Sequence, residues 1–168
     1  MFPFKQTFPT PKEHTPGVNS CQYVILHHTG TKEWTIKGVL DWLYRRDDYA
    51  SCHFVIDTNW DAYKIGLPQD ILWHAWQSSW GKLKDMNKYS MGIEVIGPLS
   101  NWGFTSEEKL TLRKLVQHLM FAFNIPKENV IRHKDIAPTR KVDPYDTLFD
   151  AFTWFSKWQS SLKPKEAK

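Results

Sequence analysis

The sequence predicts a single α/β domain with a central mixed β-sheet flanked by helices. Three observations lead there. The 168 residues suffice for one domain with a sizeable core. Short apolar runs of strand length recur along the chain, rich in Val, Ile and Tyr. Between them lie segments with helical apolar spacing, so strands and helices alternate in a way that suggests a sheet covered on its faces. No internal repeat or linker interrupts the pattern.

Residues Met1 to Ser20 carry Pro3, Pro9, Pro11 and Pro16 and read as an irregular N-terminal lead packed over the domain. Gln22 to His27 is apolar on both faces, as a buried central strand should be. Thr35 to Tyr49 reads as a helix: Val39, Leu40, Trp42 and Leu43 form its apolar side, while Asp41, Arg45, Arg46 and Asp47 face water. Cys52 to Asp57 and Ala62 to Ile65 make a hairpin across the turn Thr58-Asn-Trp-Asp61. Gly66 to Ser90 is a long connection carrying Trp73-His-Ala-Trp76, and a connection of that length is usually functional. Met91 to Ile96 is a further strand, apolar except for Glu94. Thr105-Ser-Glu-Glu108 is a capping-box signature, opening a helix to about Asn124. Its stripe comprises Leu112, Leu115, Val116, Leu119, Met120 and Phe123. Val130 to Arg132 is a short strand, followed by a Pro-kinked loop. A Trp- and Phe-rich helix over Asp146 to Ser160 ends the domain, which spans 21–160, and 161–168 is a polar tail.

Composition narrows the function. A hydrophobic fraction of 41% suits a globular protein. The net charge of +4 and pI near 9.0 mildly favour an anionic partner. Nucleic acid is not expected, because basic residues cluster only in the tail Lys163-Pro-Lys-Glu-Ala-Lys168. Cys21 and Cys52 do not make a disulfide framework. The first residues lack the basic and apolar regions of a signal peptide, so synthesis in the cytoplasm is expected. No apolar run approaches the roughly 18 residues of a membrane span, so stable membrane insertion is not expected.

The chemistry concentrates in Val130-Ile-Arg-His-Lys-Asp-Ile-Ala-Pro-Thr-Arg-Lys-Val-Asp-Pro-Tyr145. His133 and Asp143 are metal-ligand types, and Tyr23-Val-Ile-Leu-His-His-Thr-Gly30 offers a third ligand as His27 or His28. Two His and one Asp fit a catalytic zinc site, which takes three protein ligands and leaves a position open. Glu94 inside an apolar strand is costly unless paired or functional. His118 on the long helix and His14 in the lead read as structural.

Together with Ser-Cys-His-Phe-Val-Ile-Asp, Trp-His-Ala-Trp and Met-Gly-Ile-Glu-Val-Ile-Gly, these motifs occur in an order that resembles the type 2 N-acetylmuramoyl-L-alanine amidase family. That family includes amidase-type phage lysozymes, muropeptide-recycling amidases and peptidoglycan recognition proteins. The resemblance covers about Gln22 to Tyr145. It implies one Zn2+ in a surface groove, held by His27, His133 and Asp143, with Glu94 activating water and Lys141 stabilising the developing oxyanion. It further implies that His53, His74, Ala75 and Arg140 line the groove and bind substrate. Where phage lysozymes of the family often have Tyr before the residue matching His53, this chain has Cys52, so a tyrosine-assisted step is not carried over. The expected activity is cleavage of the amide between N-acetylmuramic acid and L-alanine of peptidoglycan or muropeptides, by a monomer. A single-domain phage endolysin, acting on the wall after release, is the first expectation. A cytoplasmic anhydro-muropeptide recycling amidase is the alternative, and a non-catalytic peptidoglycan-binding protein the second alternative.

Overall fold

Where the apolar residues fall decides which surfaces pair. The computed structural model describes residues 2–12, 14–30, 34–45, 50–97 and 105–144. Six strands form one sheet: β1 (Gln6–Thr7), β2 (Tyr23–His28), β3 (Phe54–Ile56), β4 (Ala62–Lys64), β7 (Ser90–Val95) and β8 (Val130–Arg132), in the spatial order β1-β4-β3-β7-β2-β8. The four strands β3, β7, β2 and β8 are mutually parallel, and β4 runs antiparallel to β3 across the expected hairpin. The sheet is therefore mixed, as expected. A two-stranded ribbon, β5 (Ser79–Trp80) with β6 (Leu83–Lys84), stands apart from it.

Parallel strands need cover on both faces, which explains why β2 reads as a continuous apolar run. On one face Val24, Leu26, Met91, Ile93 and Val95 pack against Leu112, Leu115, Val116 and Leu119 of helix α2 (Ser106–Phe123). The opposite face is covered in two parts. Helix α1 (Ile36–Arg45) lays Val39 and Leu43 over Val55 and Ile96. Ile25 and Ile131 are covered by Ala75 and Met86 of the long connection and by Ile136 of the short helix α3 (His133–Ile136). Burying a side chain of this size contributes about 1.5–3 kcal/mol each, so strand alternation fixes which face every polar residue of the sheet must occupy.

The α2 start follows the capping-box expectation: Thr105 Oγ1 accepts from Glu108 N–H at 3.1 Å, and Glu108 Oε2 accepts from Thr105 N–H at 2.6 Å. The helix ends at Asn124, whose φ of 52° is left-handed.

Several expectations need correction. The lead is not wholly irregular: β1 pairs in parallel with β4, and Phe2 and Phe4 pack against the α2-side core. Prolines flank this pairing without entering it, which an edge strand tolerates. Phe123 is 37% exposed, so the buried α2 stripe stops before the last turn. The segment after β8 is no simple loop, because its first residues form α3. Helix α1 is described to Arg45, and the rest of the helix expected to Tyr49 lies outside the described residues. The helix expected over 146–160 and the tail 161–168 lie outside the described residues.

Candidate metal centre

Register brings the candidate residues together at the carboxyl ends of the parallel strands, where open α/β sheets place their ligands. His27 in β2 is opposite Glu94 in β7, and Leu26 is opposite Arg132 in β8, which hands the chain directly to His133. Alternation along β2 sends His27 to the face covered by the long connection and His28 to the other.

The return of Asp143 to His133 is a backbone matter. Arg132 grips Asp135 as a fork, with Nε to Oδ2 and Nη2 to Oδ1 both at 2.7 Å, and Asp135 Oδ2 also accepts from the Arg132 N–H. This fixes the first turn of α3. Arg140 and Lys141 N–H then both donate to the Ala137 carbonyl, and Lys134 N–H donates to the Asp143 carbonyl at 2.7 Å. Residues 133–143 are thereby folded back on themselves.

The result is a triangle of three ligand atoms. His27 Nδ1 lies 2.9 Å from His133 Nδ1 and 3.5 Å from Asp143 Oδ2, and His133 Nδ1 lies 3.1 Å from Asp143 Oδ2. Two donors each about 2.0–2.1 Å from a tetrahedral zinc stand about 3.3 Å apart, so the triangle has the size of three such ligands. Two imidazoles and a carboxylate are also the mixed nitrogen and oxygen set that zinc accepts. Among the described residues these three are the group placed to hold a metal ion. His28 is buried on the far side of the strand and is outside this group.

Electrostatics agree with the ligand chemistry. Burial, with the neighbouring His27, pulls His133 down to about 4, so it stays neutral at physiological pH. Burial works against ionisation of Asp143, but the His133 and His27 rings beside it prevail and hold its carboxyl well below the usual carboxylate range. Both are the protonation states a metal ligand needs. Glu94 behaves oppositely: burial, reinforced by Asp143 and opposed by Lys141, raises its carboxyl well above the usual value. Its Oε2 is buried and, among the described residues, has no hydrogen-bond partner. Lys141 is half-buried on the turn that leads to Asp143.

The other expected residues divide. Arg140 is exposed at the rim, its Nη2 donating to the Trp76 carbonyl and its guanidinium 5.7 Å above the Trp76 ring. His74 is half-buried beside His27. His53 is fully buried, with Asp70 O accepting from Nε2–H at 3.0 Å and Nδ1 accepting from Gly92 N–H at 3.0 Å. It underlies the site and presents no polar edge to a groove. Ala75 is likewise fully buried, its N–H given to Asn87 Oδ1 at 2.7 Å. Both lie beneath the long connection, where Asp70 and Gly92 satisfy the His53 ring and Asn87 takes the Ala75 N–H. Cys52 is buried too, its thiol pushed well up by burial, and both cysteines are free.

Comparison with known proteins decides the family. The family profile described as N-acetylmuramoyl-L-alanine amidase (Amidase_2) matches residues 17–146. This chain belongs to the N-acetylmuramoyl-L-alanine amidase family. Among curated relatives of this amidase-family chain, it is 30% identical to the 1,6-anhydro-N-acetylmuramyl-L-alanine amidase AmpD of Haemophilus influenzae, over 68% of this chain and 59% of that protein. It is 34% identical to the N-acetylmuramoyl-L-alanine amidase AmiD of Escherichia coli, over 58% of this chain and 41% of that protein. The aligned part thus spans less than two thirds of either relative. Among solved structures, an AmpD derivative superposes with a TM-score of 0.76 at 19% identity, covering 89% of this chain and 94% of the other. A mutant endolysin from Bacillus subtilis gives 0.65 at 24% identity, covering 95% and 96%. Both share the fold of this family member.

Sequence reasoning passed over Gly92, Asn87 and Ser90, which arrange the inner wall of the site. One signal was present: a glycine within an apolar strand marks close approach of another group.

Proposed function

We propose that the chain is a zinc-dependent amidase that hydrolyses the amide between N-acetylmuramic acid and L-alanine. The ligand triangle of His27, His133 and Asp143 carries this reading, with an unpartnered carboxylate oxygen of Glu94 on the neighbouring strand.

His27, His133 and Asp143 would hold the zinc, which when bound would supply Lewis acidity toward the lactyl carbonyl and toward water. Glu94 supplies the proton transfers. Its raised proton affinity lets it take a proton from the attacking water and return it to the leaving L-alanine nitrogen as the C–N bond breaks. Lys141, close enough to influence Glu94, places a positive charge where the carbonyl oxygen becomes negative. Arg140 at the rim holds a carboxylate of the stem peptide. With Cys52 buried and protonated, no side chain at that position competes with Glu94 for the proton work.

The net charge of +4 and the exposed Trp76 and Trp80 favour polymeric, anionic peptidoglycan, and with it an endolysin role. The AmpD relative favours a second reading, a recycling amidase acting on soluble anhydro-muropeptides.

Mass spectrometry of digests separates the possibilities. Zinc-loaded protein should release stem peptides bearing new L-alanine amino termini, and Glu94→Gln should keep its zinc while turnover falls about 10²–10⁴-fold. Products from sacculi support the endolysin role; strong preference for anhydro-muropeptides replaces it with the recycling role. No product from either substrate overturns the amidase reading, and a near-normal rate in Glu94→Gln removes that residue from the mechanism.

A further inference from the structure

The inner wall of the site holds a contact that the ligand set and the proton-transfer residues leave unused. His74 Nδ1 lies 3.1 Å from His27 Nε2, and the two rings meet edge to face at 87° with centroids 5.2 Å apart. On its far side His74 Nε2 lies 3.4 Å from the Ser90 carbonyl and 3.4 Å from Ser90 Oγ. That hydroxyl donates to the Met86 carbonyl at 2.6 Å and the Ser90 carbonyl accepts from Asn19 Nδ2 at 2.6 Å, so toward His74 both Ser90 oxygens can only accept.

The ring sits there because the sheet has a gap beneath it. Gly92 is on the site face of β7, and a Cβ at that position would stand 2.5 Å from His74 Cγ and 2.7 Å from its Nδ1. Real side chains do not approach so closely, so any other residue would displace the ring. The backbone is held as firmly. Asn87 Oδ1 accepts from His74 N–H at 3.0 Å and from Ala75 N–H at 2.7 Å, and Ser51 Oγ accepts from Trp73 N–H at 2.8 Å.

Hydrogen-bond polarity follows from one requirement. His27 faces the ligand triangle with Nδ1, so a neutral His27 that binds a cation there carries its proton on Nε2. The acceptor within reach is His74 Nδ1, which in turn places the His74 proton on Nε2, toward the Ser90 carbonyl. We infer that His74 is a positioning residue of the metal centre, accepting Nε2–H of His27 to fix the ring and tautomer that leave Nδ1 free for the cation, and that Gly92 is the seat that admits it. The inference rests on the metal-centre reading above. It reassigns His74 from the groove wall to the support of a ligand, where such outer partners change metal affinity by about 10–100-fold.

Three variants test it by zinc competition against a chromophoric chelator, with thermal midpoints of the metal-free proteins recorded alongside. His74→Leu should bind zinc about 10–100-fold more weakly. His74→Asn, which puts an acceptor oxygen near the place of Nδ1, should recover most of that loss. Gly92→Ala should weaken zinc binding although His74 is intact. In the zinc-loaded wild type, proton NMR should show a slowly exchanging Nε2–H from His27 that His74→Leu loses. Wild-type zinc affinity in His74→Leu, or no recovery in His74→Asn, overturns the inference alone. Failure of the wild type to take up zinc overturns the metal-centre reading and this inference with it.

Discussion

His53 shows how a buried titratable side chain couples folding to pH. Its Nε2–H donates to the Asp70 carbonyl, while its Nδ1 accepts from the Gly92 N–H. A second proton would set two N–H groups against each other in a fully buried site. Burial accordingly lowers its pKa from 6.5 to about 4. The unfolded chain takes up a proton near pH 6.5, whereas the folded chain resists it until about pH 4. Stability is therefore complete above 6.5 and falls as pH drops through this window. The contribution of His53 at pH 5 is a loss of about 2 kcal/mol. Urea unfolding at pH 7.5 and pH 5 should show the wild type losing more stability than His53→Asn, and equal losses would remove His53 as a source. The same residue-scale logic applies to Glu94, whose proton affinity is set by burial and by Asp143, not by its own strand.

Among the elements, α2 and α3 do different work. Helix α2 is a packing element with strong local signals: the capping box at its start, four buried apolar residues on one side, and a left-handed Asn124 at its end. Thr105→Ala removes the acceptor for Glu108 N–H and should cost about 1 kcal/mol. A shift in the urea midpoint with unchanged zinc affinity would show that α2 supports the site only through the core. Helix α3 carries a candidate metal ligand as its first residue, His133. It is defined less by propensity than by the Arg132–Asp135 fork and by the bond from Lys134 N–H to the Asp143 carbonyl. That explains why α3 was read as part of a loop: four residues around a side-chain clamp give no periodicity to detect.

Across the whole molecule, the metal and the fold should stabilise each other. The triangle joins β2 to α3 and the turn that follows it, with His27 and His133 standing 106 positions apart in sequence, so it is assembled only in the folded chain. Zinc at 100 times its dissociation constant should raise stability by about 2.7 kcal/mol. Differential scanning calorimetry with and without chelator would read this as a reversible fall and recovery of the thermal midpoint. Indifference to both chelator and added zinc would count against the metal centre. Among the described residues no helix is long and apolar enough to cross a membrane.

The sequence by itself determined the mixed α/β architecture, because strand-length apolar runs and a capped amphipathic helix are local patterns that each carry their own signal. It also held the family motifs, and the resemblance they carry picked out His27, His133 and Asp143, while Glu94 stands out as a costly residue within an apolar run. Tertiary structure alone decided how these residues meet. Strand register set His27 opposite Glu94, and backbone hydrogen bonds returned Asp143 to His133. Tertiary structure also decided which residues face inward. His53 and Ala75 went beneath the site, His74 went against His27 and β1 went to the sheet edge. The reason is physical: which side of a connection is buried depends on what packs over it, and at Gly92 the deciding feature is a missing Cβ that matters only because His74 arrives from a distant segment.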